Sequence, residues 1–106
     1  STQDAVRKYK GLLIGAGFFS DFHLDAWQRI ENVEIVGVCD LDLDKARSAA
    51  HKYKVASAYD NIDQALEVLD LDFVDIATPA SGRIDIVRQV LNRKLPMICQ
   101  KPLAAD

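Results

Sequence analysis

The residues with the clearest chemical potential are Gly15-Ala16-Gly17-Phe18-Phe19-Ser20 and, 23 positions after Gly17, Asp40. Two glycines one residue apart allow a tight turn and a close approach of backbone to an anion. A helix starting just behind them presents N–H groups and a partial positive charge to a phosphate. An acid at the end of the next strand, about 20 residues on, accepts hydrogen bonds from ribose hydroxyls. Together these residue types fit a dinucleotide. The motif departs from G-x-G-x-x-G at its last position, where Ser20 replaces glycine. That position serves helix–strand packing, whereas the first two serve the turn and the pyrophosphate. Gly15 and Gly17 keep those two roles. Ser20 is small, and its hydroxyl can cap a helix start or reach a phosphate oxygen. Asp21 is expected to face solvent, since pointed inward it would repel the pyrophosphate. The plain alternative is a glycine turn and a capping acid with no ligand.

Asp40 also bears on which dinucleotide fits. A carboxylate there repels a 2′-phosphate, and Leu41 and Asp42 follow it rather than a basic residue. NAD is favoured over NADP. Lys45 and Arg47 leave NADP as the alternative, because a helix start can swing a basic side chain back.

These residues need a scaffold, and the chain's 106 residues suffice for one domain with a modest core. Apolar residues make up 49% and charged residues 27%, a balance usual for a soluble globular fold. The net charge of −3 gives no footprint for nucleic acid and no hold on an anionic membrane. No apolar run approaches the ~20 residues of a membrane span, and the polar N-terminus has no signal-peptide core. A cytoplasmic location is expected. Cys39 and Cys99 each end an apolar run and read as two buried hydrophobes. No Cys/His cluster suggests a metal.

Strand and helix signals alternate. Strands are expected at 11–17, 33–40, 55–58, 71–78 and 95–100. Between them, Phe19, His23, Trp27 and Ile30 share one face of a first helix. Asp42 caps a second helix, 42–54, with basic residues late. Asp60 or Asn61 caps a third, carrying Ile62, Ala65, Leu66 and Leu69. Ser81 caps a fourth, 83–93, with Ile84, Val87, Val90 and Leu91 inward. Five strands separated by four helices imply an α/β fold, a doubly wound parallel sheet of Rossmann type with strand order 3-2-1-4-5. Strands two and five would then lie roughly 14 Å apart. A disulfide needs Cα atoms within about 7 Å, so no internal bridge is expected.

GAGFFSDFH, VCDLDLDKARSAAHKY, ATPASGRIDIV and ICQKPLA, taken in order, resemble the glucose–fructose oxidoreductase / inositol dehydrogenase / MocA family of NAD(P)-dependent oxidoreductases. The resemblance runs from about Gly11 to Asp106. It implies hydride transfer between NAD(P) and a sugar, cyclitol or similar polyol. Thr78 and Pro79 would line the path of the nicotinamide ribose. Lys101, beside Pro102, would be the catalytic lysine that also touches the cofactor, orienting the substrate or helping to move its hydroxyl proton. Gln100 stands where the family usually has glutamate, and Arg83 aligns where a histidine is common. Arg83 could contact a ligand or simply sit exposed at a helix start. His23 matches the histidine after the glycine loop and reads first as a half-buried helix residue, then as a minor contributor to the site; His51 reads as exposed. Family members carry a second domain, so the resemblance implies that 1–106 is an incomplete cofactor domain without the sixth strand. Strand five would then be an open edge, favouring a homo-oligomer. A non-catalytic nucleotide-binding or interaction module is the alternative function. A transient redox step on tightly held NAD, as in glycoside cleavage, is a third.

Overall fold

The computed structural model describes residues 7–99. Strands β1 (Tyr9–Ile14), β2 (Val33–Cys39), β3 (Ala58–Tyr59), β4 (Phe73–Ile76) and β5 (Met97–Cys99) alternate with four helices. The helices are α1 (Ser20–Gln28), α2 (Leu43–Tyr53), α3 (Ile62–Val68) and α4 (Arg83–Asn92). The strands form one parallel sheet in the order β3-β2-β1-β4-β5. That is the expected order, with the reversal between β1 and β4 where doubly wound folds bind ligands.

The strands read as continuous apolar runs because both faces of the sheet are covered. Leu12, Ile14, Val74 and Ile76 pack against Leu66 and Val90 on the α3–α4 side. Leu13, Ile35, Val38 and Phe73 pack against Leu24 and the alanines of α2 on the other. Alternation along β4 puts Asp75 on the same face as Phe73, beneath α1.

Caps set the helix starts. The Asp42 side chain accepts from the Asp44 and Lys45 N–H groups, and Asn61 accepts from Gln64. α2 stops at Lys54, which takes a left-handed conformation. Ser81 does not cap α4: Gly82 takes that position with φ 80° and no side-chain bond. The buried side of α1 is Ser20 and Leu24, while Phe19 and Ile30 are exposed. The turn at Arg29 takes Ile30 out of the helical stripe. In α4 the inward residues are Ile86, Val87 and Val90, and Ile84 and Leu91 face out. Cys39 is buried but Cys99 is exposed, because β5 lies at the sheet edge. Both thiols are free.

Candidate functional site

At the end of β1 the chain turns at Gly15, with φ 108°. A Cβ there would lie 3.0 Å from the Thr78 nitrogen and 3.1 Å from the Ala77 carbonyl carbon. Backbone angle and space both demand glycine. The Gly15 N–H donates to the Cys39 carbonyl at 2.7 Å, joining the ends of β1 and β2.

Gly17 differs. Its φ is outside the left-handed region, and nothing lies within 4 Å of where its Cβ would be. The fold itself does not require glycine there. The bare backbone faces open space at the start of α1, whose first turn no side chain caps. This is a cradle that a Cβ would fill and an anion can enter.

Ser20 is buried, and its hydroxyl donates to the Gly17 carbonyl at 2.7 Å. It occupies the packing position and latches the loop to the first turn of α1. Asp21 faces solvent, 3.3 Å from the Lys52 ammonium. Phe18 and Phe19 stand at the loop tip as exposed rings packed edge to face, 5.1 Å between centroids.

Asp40 is drawn against the loop. One carboxylate oxygen accepts from the Ala16 N–H at 2.8 Å, the other from the Asp42 N–H at 2.8 Å. Each oxygen keeps a lone pair for a further donor. Beside it lies a cleft of about 250 Å³, lined in part by Gly15, Asp40, Leu41, Ile62, Thr78 and Pro79. The Thr78 hydroxyl is buried there with no hydrogen-bond partner. Buried polar groups are seldom left so, which suits a polar ligand in the cleft. Cys39 also lines it, but burial, then the nearby Asp40 and Asp60 charges, push its thiol up to about 12. It stays protonated and is no nucleophile.

Of the sequence candidates, Gly15, Gly17, Phe18, Phe19, Ser20, Asp40, Thr78 and Pro79 all gather at this end of the sheet. Lys101, Gln100 and Pro102 lie outside the described residues. Lys45 lines a shallow crevice beside Gly17 and Ser20, whereas Arg47 is exposed. Arg83 is half-buried and donates to the Thr78 carbonyl at 2.5 Å, which fastens that loop.

Sequence reasoning passed over Leu41 and Ile62 in the cleft, and Asp75. Leu41 is a large apolar residue, 90% exposed, immediately after the acid. Asp75 is an acid inside an apolar strand, which was signal enough. It is 1% exposed and lies against His23 and Trp27. Among the described residues there is no group of three or more potential metal ligands and no helix long and apolar enough to cross a membrane.

The geometry agrees with comparison to known proteins. The model of an oxidoreductase family with an NAD-binding Rossmann fold matches residues 9–106. The chain belongs to this family. A D-apiose dehydrogenase of Paraburkholderia graminis is 40% identical over 104 residues, covering 98% of this chain and 28% of that protein. An inositol 2-dehydrogenase of an Arthrobacter species is 37% identical over 95 residues, covering 89% and 28%. Among solved structures, an Agrobacterium radiobacter oxidoreductase in complex with NAD+, L-tartaric acid and magnesium superposes with a TM-score of 0.84 at 31% identity. That match covers 93% of this chain and 29% of the solved one. The chain thus spans under a third of the length of these members of the oxidoreductase family.

Proposed function

We propose that this chain is the cofactor-binding part of an NAD-dependent oxidoreductase that acts on a hydroxyl or carbonyl of a sugar, cyclitol or similar polyol. The observation that carries the reading is Gly17. Its missing side chain serves no packing or backbone need of the fold, so the space in front of it is for a ligand. The N-terminus of α1 and the Asp40 carboxylate on the same rim set the ligand's chemistry, an anion joined to a vicinal diol. The substrate class follows the polyol dehydrogenases among the relatives.

Bound NAD would supply a hydride acceptor, and NADH a donor. The protein's residues do the rest. The loop 15–20 holds the pyrophosphate, and Asp40 takes hydrogen bonds from a ribose. The Thr78 hydroxyl offers a hydrogen bond inside the cleft. Lys101 is assigned to the substrate hydroxyl, which its ammonium would orient as a donor or whose proton its neutral amine would take up as hydride leaves the carbon. The edge position and exposed Ile98 of β5 favour a homo-oligomer.

The test is calorimetric titration of the chain with NAD and NADP. NAD binding, with NADP at least tenfold weaker, is the expected result, since a 2′-phosphate would meet the Asp40 carboxylate. The chain alone should bind weakly, and failure of the full-length protein to bind either one refutes the reading. Gln100 in place of the family's glutamate favours a binding module instead. In the full-length enzyme, Lys101→Ala separates the two readings. An enzyme loses turnover and keeps NAD affinity, whereas a binding module has no turnover to lose.

A further inference from the structure

Beneath α1 lies a polar cluster that the cofactor cleft does not use. Asp75 sits in the middle of β4, 1% exposed. One of its carboxylate oxygens takes both available contacts: His23 Nδ1 lies at 2.7 Å and the Trp27 indole N–H donates at 2.7 Å. The other oxygen is buried without a partner. Burying a carboxylate is costly unless its interactions offset the loss of water. Here three residues are spent on one contact between a helix and a strand.

The helix they fix is the phosphate-binding one. α1 starts at Ser20, directly behind the glycine loop, and only Ser20 and Leu24 are buried along its nine residues. His23 is one turn in, with its backbone N–H bonded to the Phe19 carbonyl. The strand they fix leads straight to the cleft. Asp75 is three residues before Thr78, and the Ala77 N–H donates to the Ile14 carbonyl. Loop and strand end touch at Gly15.

We infer that Asp75, His23 and Trp27 form a positioning network that sets α1, and with it the phosphate-binding loop, over the end of β4. The inference rests on the NAD-binding reading above. Asp75 and His23 are positioning residues, acting through the helix rather than on the cofactor.

The network's chemistry gives it a pH signature. An imidazole can donate from Nδ1 to a carboxylate whether it is neutral or protonated. The native tie therefore survives acidification. In Asp75→Asn the amide oxygen can stand where the shared carboxylate oxygen stood and accept from both Trp27 and His23 Nδ1–H. A neutral imidazole keeps that bond. A protonated one becomes a largely buried charge with no carboxylate to offset it. Among the described residues, no other ionisable group lines the groove beside the network. The groove beside the network is walled by Phe22, Ala26, Trp27 and Ile98 besides His23 and Asp75. Elsewhere on α1, Asp25 is paired with Arg29 and Asp21 with Lys52. On β5, Cys99 pairs with Ile76, one residue out of step with Asp75 and Ile98, and so faces the opposite side.

The experiment measures NAD affinity and Trp27 emission from about pH 8 to about pH 5.5, the range in which imidazoles titrate. Trp27 is the only tryptophan, so its emission reports the network directly. Wild type should show flat profiles in both. Asp75→Asn should bind NAD within about twofold of wild type near pH 8 and roughly tenfold more weakly near pH 5.5, with an emission change over the same range. Adding His23→Asn to that variant should restore flat profiles, because two amides can pair at any pH. Asp75→Asn profiles that parallel wild type would overturn the inference. Should Asp75→Asn fail to fold, His23→Leu decides: a roughly tenfold loss of NAD affinity at every pH supports the network, and unchanged affinity overturns it. If the full-length wild type binds no NAD, the functional reading fails, and the emission profiles alone still decide whether the network exists.

Discussion

Cys39 and Cys99 both close parallel strands, yet the first is 1% exposed and the second is open to solvent. The contrast belongs to the two halves of the sheet. β2 lies between β1 and β3 under α1, α2 and α3, and its last three residues are buried. Among the described residues β5 pairs with β4 alone, and its burial falls away along its three residues. α4, which leads into it, buries Val90 fully but leaves Ile84 and Leu91 exposed. The half that carries the glycine loop and Asp40 is therefore closed by its own packing. In the other half β4 is also buried, and only the edge strand β5 is loosely covered.

Truncations on each side should show this most strongly. Leu13→Ala opens a void between β1 and its helices and is expected to cost ~2–5 kcal/mol. Ile98→Ala, at a residue 45% exposed on β5, should cost about 1 kcal/mol or less. Urea unfolding of both variants checks this, and equal losses would remove the distinction between the halves.

The two thiols sharpen the same contrast with a smaller effect. In the native chain a thiol reagent should modify Cys99 quickly and Cys39 only after unfolding. Cys39 also links stability to alkaline pH. Burial, more than the Asp40 and Asp60 charges, raises its folded value from 9.0 to about 12. The folded state then holds a proton that the unfolded state releases. Stability should fall as pH rises through that window, and Cys39→Ala should flatten the slope. Least of all, Asp72 steadies the start of β1. The Lys10 backbone N–H donates to its carboxylate at 2.9 Å and, against the effect of burial and with help from Arg7, lowers its titration below the ordinary 3.8. This contribution is present above that value and lost as pH falls below it. Asp72→Asn should therefore be less sensitive to acid than wild type, as followed by circular dichroism.

The fold was legible in the sequence because its signals are local and redundant. Glycines end β1, Asp42 caps α2, and apolar strands alternate with amphipathic helices. Ser81 and Ile30 misled because both flank helix ends, where a residue in a different conformation moves the side chain off the expected face. The glycine turn at the end of β1 was legible for the same local reason. Asp75 was marked as an acid in an apolar strand, but its partners were not, since they depend on which helix the sheet order places over β4. His23 and Trp27 are 52 and 48 residues away from it in sequence. Cys99 read as buried because an apolar run carries no mark of lying at a sheet edge.

The most direct measurement concerns the two glycines that look alike in sequence. Gly17→Val should melt at the wild-type temperature, because its side chain enters open space, yet lose NAD binding by at least tenfold. Gly15→Val, strained at φ 108° and pressed on Thr78, should lose stability as well. Unchanged NAD affinity in Gly17→Val would contradict the assignment of this loop to the pyrophosphate.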